Sequence, residues 1–229
     1  MLYQMSERPL PPFRETYDVK FATDPEQAAR LLFQEREQFG HILNDALIAS
    51  SYPLPTGPIK ILNVACGMGV ETPVLVNQFG QSPNTPEQVS IIGIDPLERR
   101  IQIAQELADT TPGQHTFIVG DATRLGDYPE IPQEVDVALV RRQNVAGHPR
   151  WSMLFEQTME KLRPGGIALV TSIGQFEHSE MIKIFEDLGY TPEESVPNTT
   201  RYYQKIIRRY PETVTMPIDS HIAVFTKPL

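Results

Sequence analysis

Apolar residues in this chain alternate between two spacings. Short aliphatic and β-branched runs occur at Ile59–Val64, Val89–Ile94, Thr116–Val119, Val135–Val140, Ile167–Ser172 and His221–Thr226. Most are apolar at successive positions, as strands are when helices cover both faces of a parallel sheet. Between them, apolar residues recur at helical spacing over Glu71–Phe79, Leu97–Ala108, Arg150–Leu162 and Ser179–Leu188. The third stripe is Trp151, Leu154, Phe155, Thr158 and Leu162, and the fourth stops at Gly189, a residue suited to the position just past a helix. Strand followed by helix, repeated, predicts a doubly wound α/β sheet that is mainly parallel.

The N-terminal part reads differently. Residues 1 to 23 hold three prolines and no sustained periodicity, so an extended arm is expected there. Asp24-Pro25 then supplies a helix cap and a first-turn proline, and Ala28, Leu31, Leu32, Phe39, Ile42, Leu43, Ala46 and Leu47 continue at mostly helical spacing. Gly40 is expected to bend or split this helix. The proline-rich SSYPLPTGP marks a joint. The expected organisation is an N-terminal arm and helical cap over residues 1–57 and a sheet domain over 58–229.

Composition narrows the partners. The chain has 229 residues, 40% of them hydrophobic, which suits one globular domain with a short appendage. Its formal net charge of -9 argues against coating nucleic acid or an anionic membrane through bulk charge. The single cysteine, Cys66, excludes an internal disulfide and a thiolate-rich zinc site. MLYQMSERPLPPF lacks the apolar core of a signal peptide, and no run reaches the ~18 apolar residues of a membrane helix. A cytoplasmic protein with no membrane partner is expected.

In a doubly wound sheet, ligands bind outside the carboxyl ends of the strands. The first such turn is ILNVACGMGVET, residues 61 to 72, where Gly67 and Gly69 let the backbone approach a ligand beside the N-terminus of the next helix. A dinucleotide turn would carry a third glycine where Thr72 stands, so NAD loses ground. IIGIDPLERR ends the second strand with Asp95, a carboxylate placed to accept from both hydroxyls of a ribose. FIVGDATRL puts Asp121 after the third strand, where it can accept from an adenine amino group while the Ala122 N–H meets a ring nitrogen. LRPGG precedes the fifth strand.

In this order and at these strand boundaries, NVACGMG, GIDP, VGDAT and LRPGG resemble a class I S-adenosylmethionine-dependent methyltransferase, over roughly Lys60 to Leu229. The resemblance implies a Rossmann-like sheet of seven strands whose last two form a reversed hairpin, supplied by ESVPNTT and HIAVFTK. It implies S-adenosyl-L-methionine, or S-adenosyl-L-homocysteine after transfer, held by Asn63, Ala65, Cys66, Gly67, Gly69, Asp95, Pro96, Asp121, Ala122 and Arg141. Two positions depart from the family pattern. Asn63 stands where an acid is common and Ala65 where glycine is common, so binding of the methionine part is expected to be weakened or reshaped.

The acceptor side is less specific. The fourth turn, VRRQNVAGHPRW, lacks the Asn-Pro-Pro-Tyr type motif of amino-group methyltransferases and the carboxylates of metal-dependent ones, so no metal is implied. It offers Arg141, Arg142, Gln143, Asn144 and His148. Arg142 is the candidate for clamping an anionic substrate and His148 for accepting a proton; pairing with carboxylates and helix capping are the alternatives. Cys66 reads as a small buried residue rather than a nucleophile. His178 and Glu180 lack further metal ligands, and solvent exposure or capping is expected of His178. RYYQKIIRRY, residues 201 to 210, is expected to be an amphipathic helix with a basic face, able to form a lid with the arm that contains Tyr17 and Phe21. The function expected is methyl transfer to oxygen or nitrogen of a small, anionic molecule. A non-catalytic binding protein of the same fold, and an RNA methyltransferase using the basic segment, are the alternatives.

Overall fold

The structure, a computed structural model, describes residues 25–143, 150–198, 207–209, 212–214 and 219–229. By backbone contacts the chain divides into residues 1–34 and residues 35–229. Helix α1 is Pro25–Ala49, so the larger unit begins inside it.

The larger unit continues with β1 (Ile59–Val64), α2 (Thr72–Phe79), β2 (Val89–Asp95), α3 (Glu98–Ala108), β3 (Gln114–Val119), β4 (Val135–Arg141), α4 (Arg150–Lys161), β5 (Leu162–Ser172), α5 (Gln175–Asp187), β6 (Glu194–Pro197), β7 (Ile207–Arg209), β8 (Glu212–Val214) and β9 (His221–Thr226). Seven strands form one sheet in the order β3-β2-β1-β4-β5-β9-β6. The first five strands of that order pair in parallel, and β9 runs antiparallel to both β5 and β6. The expected Rossmann-like sheet with a reversed C-terminal hairpin is therefore present.

Strand alternation sorts the core into two layers. Leu62, Val64, Ile92, Ile94, Ala138, Val140, Ala168 and Val170 pack with α4 and α5 on one face. Ile59, Ile61, Ile91, Val137, Leu139, Ile167 and Leu169 pack on the other with Phe39, Ile42, Leu43, Ala46 and Leu47 of α1 and Leu75, Val76 and Phe79 of α2. The C-terminal half of α1 is thus part of the sheet's own core.

Four local expectations are corrected. Gly40 does not interrupt α1, which runs unbroken, and a Cβ there would meet Val74 only at 3.6 Å, an ordinary contact. The LRPGG segment lies within β5 rather than ahead of it. Its register against β4 shifts between Val135 and Val137, and Gly165 takes φ +72, a conformation that glycine adopts freely. Helix α5 starts at Gln175, four residues earlier than the apolar stripe suggested, and Glu177 accepts from the Ile173 N–H at its start. Finally, residues 207–209 are strand rather than helix and pair with β8. A run of β-branched and aromatic residues with flanking arginines satisfies either pattern when it is this short. Residues 201–206 and 210 lie outside the described residues, as do Asp24, Tyr17 and Phe21.

Candidate functional site

The strand ends β1, β2 and β4 converge on the first glycine turn. Gly67 and Gly69 take φ +54 and +62, and Ala65 takes φ +52, left-handed values that disfavour a side chain. A Cβ at Gly69 would come to 3.0 Å of Ala104 Cβ and Phe117 Cε1, so helix α3 and β3 close that side. A Cβ at Gly67 would meet nothing within 4 Å, so the turn is open at that position. The turn is held by Cys66 N donating to Ile94 O at 2.9 Å and Gly69 N donating to Cys66 O at 2.9 Å.

Asp95 is buried at the end of β2, with Pro96 exposed beyond it. Its Oδ2 accepts from Gly67 N and its Oδ1 from Leu97 N, both at 3.0 Å. The carboxylate therefore joins the first and second turns, and each oxygen keeps lone-pair capacity for a further donor such as a ribose hydroxyl. Asp121 caps the short 3-10 helix Ala122–Asp127, its Oδ1 accepting from Thr123 N and Thr123 Oγ1, while its own N–H donates to the Tyr128 hydroxyl at 2.7 Å. The Asp121 side chain is 44% exposed and Ala122 is buried beside it.

Cys66 is buried, and burial first, then the negative charges of Asp95 and Glu71, push its thiol well above the ordinary range. A neutral thiol suits the small buried residue expected and not a nucleophile.

Arg141 and Arg142 meet partners that spacing along the chain did not reveal. Arg141 is buried, lies over the Phe39 ring at 4.6 Å, and donates through Nε and Nη2 to Asp219, with the shortest contact 2.6 Å. Its Nη1 donates to Glu71 Oε1 at 2.8 Å and to Glu35 Oε1 at 3.1 Å. Arg142, at φ +57, donates to Glu35 Oε1 at 2.7 Å and to both oxygens of Asp219 at 3.1 and 3.0 Å. Thr171 Oγ1 adds a third donor to Asp219 at 2.6 Å. Burial alone would raise the Asp219 carboxyl, but the two guanidiniums outweigh it and hold the group well below the usual range. Burial would likewise lower Arg141, and Asp219, Glu71 and Glu35 together hold it above its ordinary value. Pairing with carboxylates, the alternative raised for both arginines, is what the geometry contains, with Glu71 and Asp219 buried and Glu35 half-buried.

Glu35, Glu71 and Asp219 were missed by sequence reasoning. Asp219 is 78 residues from Arg141, and the only signal was an acid just ahead of an apolar strand. Gln143 links the same region, its Nε2 donating to Arg141 O at 2.9 Å. Asn144 and His148 lie outside the described residues.

His178 is not exposed and does not cap α5. It is buried within the helix, bonded to Ser172 Oγ at 3.2 Å and Ser195 Oγ at 2.6 Å, and stacked on His221 at 4.6 Å. Burial, then the neighbouring His221, lower its pKa to about 4. Among the described residues no group of three His, Cys, Asp or Glu is placed to hold a metal ion, and no helix is long and apolar enough to cross a membrane.

The residues at the glycine turn fit a nucleoside linked to an amino acid. A Cβ at Gly67 would meet open space, Asp95 accepts from the turn, and the buried polar atoms Asn63 Nδ2, Glu71 Oε2 and Thr72 Oγ1 have no hydrogen-bond partner among the described residues. The methyltransferase domain family matches residues 61–166. Three solved structures share the fold. An S-adenosylmethionine-dependent methyltransferase from Methanosarcina mazei has TM-score 0.56 and 16% identity, covering 80% of this chain and 97% of its own. The N-methyltransferase NodS from Bradyrhizobium japonicum has TM-score 0.54 and 14% identity, covering 85% and 97%. Magnesium protoporphyrin IX methyltransferase from Synechocystis, solved with bound S-adenosylmethionine, has TM-score 0.54 and 14% identity, covering 90% and 93%. No curated protein matches the chain in sequence. The 3-2-1-4-5 order of the parallel strands with its reversed edge is the Rossmann-like methyltransferase fold, and the match to the methyltransferase domain family over residues 61–166 supports a class I S-adenosylmethionine-dependent methyltransferase.

Proposed function

We propose that the protein transfers a methyl group from S-adenosylmethionine to oxygen or nitrogen of a small molecule. The observation that carries the reading is the Asp95–Gly67 bond beside an open glycine turn, which sets a carboxylate against the backbone that would receive the nucleoside. In this reading Asp95 accepts the ribose hydroxyls, Asp121 and the Ala122 N–H meet the adenine, and Gly67 and Gly69 admit the methionine part. The cofactor supplies an activated methyl on a good leaving group. The protein's share is then to align the acceptor and exclude water.

The acceptor is a small molecule rather than RNA, given the net charge of -9. An anionic acceptor loses its main support, because Arg142 is already neutralised by Glu35 and Asp219. The proton acceptor is left to the segment around His148.

Isothermal titration with S-adenosylmethionine and S-adenosylhomocysteine tests the cofactor half, with NADH as a ligand expected not to compete. Radiolabelled methyl transfer to a small-molecule panel and to total RNA tests the acceptor half. No binding of either adenosyl ligand at millimolar concentration would favour a non-catalytic protein of this fold.

A further inference from the structure

Tyr128 follows the short 3-10 helix Ala122–Asp127 and reaches back past it, so that its hydroxyl accepts the Asp121 N–H at 2.7 Å. Its ring lies against Gly120, where a Cβ would come to 2.5 Å of Tyr128 Cζ and 2.7 Å of its hydroxyl oxygen. Glycine at 120 and tyrosine at 128 are thus a matched pair, because any side chain at 120 would displace the ring and the hydroxyl with it. Tyr128 is half-buried and, like Trp151 of α4, packs on the core that contains Leu125 and Ile131. Its carbonyl accepts from Ile131 N at 3.1 Å, which fixes the backbone from which the ring projects.

The turn after β3 is held at every other point as well. Gly120 N donates to Asp95 O at 3.0 Å, tying this turn to the end of β2. Asp121 Oδ1 accepts from Thr123 N at 2.9 Å and from Thr123 Oγ1 at 2.8 Å. Asp121 Oδ2 takes part in none of these bonds, and Arg150 Nη1 stands 3.9 Å from it. Capping the short helix requires only the Thr123 bonds. The phenol adds a constraint on the Asp121 backbone that capping does not need, and with Oδ1 also tied, the direction of Oδ2 is set.

A carboxylate oxygen held in one direction separates bases by their 6-substituent. Adenine presents an amino donor beside a ring-nitrogen acceptor, whereas hypoxanthine presents a carbonyl oxygen beside a ring N–H. Against a fixed carboxylate and the Ala122 N–H, the second pattern sets oxygen against oxygen and hydrogen against hydrogen. A turn free to shift could relieve that conflict.

We propose that Tyr128 is the positioning residue for base selectivity: by holding the Asp121 N–H against Gly120, it keeps the Asp121 carboxylate where only a 6-amino base satisfies it. The inference rests on the cofactor reading above and adds to it the residue that holds the base-reading turn in place.

Calorimetric titration with S-adenosylhomocysteine and its deaminated analogue, S-inosylhomocysteine, tests the proposal. The parent is expected to prefer the adenosyl ligand by about tenfold or more. Tyr128→Phe keeps the ring and removes the hydroxyl. It is expected to lose about three- to tenfold on S-adenosylhomocysteine while staying within about twofold on S-inosylhomocysteine. A residue that served only the stability of the fold would weaken both ligands alike. If Tyr128→Phe does not fold, hydrogen exchange at the Asp121 amide of the parent decides: the amide is expected to be protected in the free protein, and further by S-adenosylhomocysteine but not by the analogue. Exchange at the rate of an exposed amide, protection that the two ligands deepen equally, equal losses on both ligands, or an unchanged preference in Tyr128→Phe would overturn the role of Tyr128. A parent that binds S-adenosylhomocysteine without preferring it to the analogue would overturn the inference and leave the cofactor reading standing, whereas a parent that binds neither would overturn both.

Discussion

The carboxylate of Asp95 accepts the backbone N–H of Gly67 at 3.0 Å, so one buried anion at the end of β2 fixes a turn 28 residues earlier in the chain. Asp121, by contrast, faces partly into solvent and is bonded to the neighbouring Thr123. Asp95→Ala should therefore weaken S-adenosylhomocysteine binding more than Asp121→Ala. With each charged hydrogen bond contributing about 1.5–3 kcal/mol, the first loss should exceed tenfold. Titration of both variants against the parent checks this, and three equal affinities would place the nucleoside elsewhere.

Ala65 takes φ +52, where a side chain is strained by about 1–2 kcal/mol. Glycine removes that strain but adds about 0.4–1 kcal/mol of unfolded-chain entropy. Ala65→Gly should consequently be neutral or stabilising by up to about 1 kcal/mol. Gly69→Ala should be clearly destabilising, because its Cβ would meet Ala104 and Phe117 at 3.0 Å as well as suffering the φ strain. Thermal midpoints measure both, and a loss of stability in Ala65→Gly would contradict the account.

Arg141 is the nearest cation to both Asp219, at 2.6 Å, and Glu71, at 2.8 Å. Arg141→Ala would leave Asp219 and Glu71 without their closest cation, at a cost of about 3–5 kcal/mol. Arg142→Ala should cost less, since Asp219 retains Arg141 and Thr171. Because Arg142 is spoken for, the same variant should not alter any preference between anionic and neutral acceptors. Denaturant unfolding ranks the two variants, and a reversed ranking would show that Arg142 anchors the network.

Acid should act through Asp219 only at low pH. Its folded pKa lies below the unfolded value of about 3.9, so its contribution is complete above that value and is lost as pH falls further through the folded pKa. Asp219→Asn should be less stable than the parent at neutral pH and should lose less on going below about pH 4.

His178 should act in a higher window. Its folded pKa, about 4, lies below the unfolded value of about 6.5, so the unfolded chain takes up the proton first. Stability from this site is complete above pH 6.5 and declines as pH falls from there to about 4. His221, stacked on it and also lowered by burial, should add to the decline. His178→Gln should flatten the stability profile across that window, as measured by urea unfolding at a series of pH values. An unchanged slope would show that the pair is not buried in the neutral form.

The sheet was legible in the sequence because its signals are local. Consecutive apolar residues at Ile59–Val64 and His221–Thr226 mark strands buried on both faces, and those two bounds match the structure to the residue. The tight turn at Gly67 and Gly69 was legible in the same way, since both take left-handed φ values that glycine adopts freely. What the sequence could not determine were the partners of charged groups. Arg141 and Arg142 read equally well as an anion clamp or as paired cations, and only folding brought Glu35, Glu71 and Asp219 to them from three distant segments. His178 likewise looked exposed because a histidine's burial depends on what lies across the sheet, here Ser195 and His221, not on its neighbours along α5. Hydrophobic periodicity is fixed by backbone geometry residue by residue, whereas the pairing of buried charges is fixed by topology, and that distinction decided which half of this site could be read in advance.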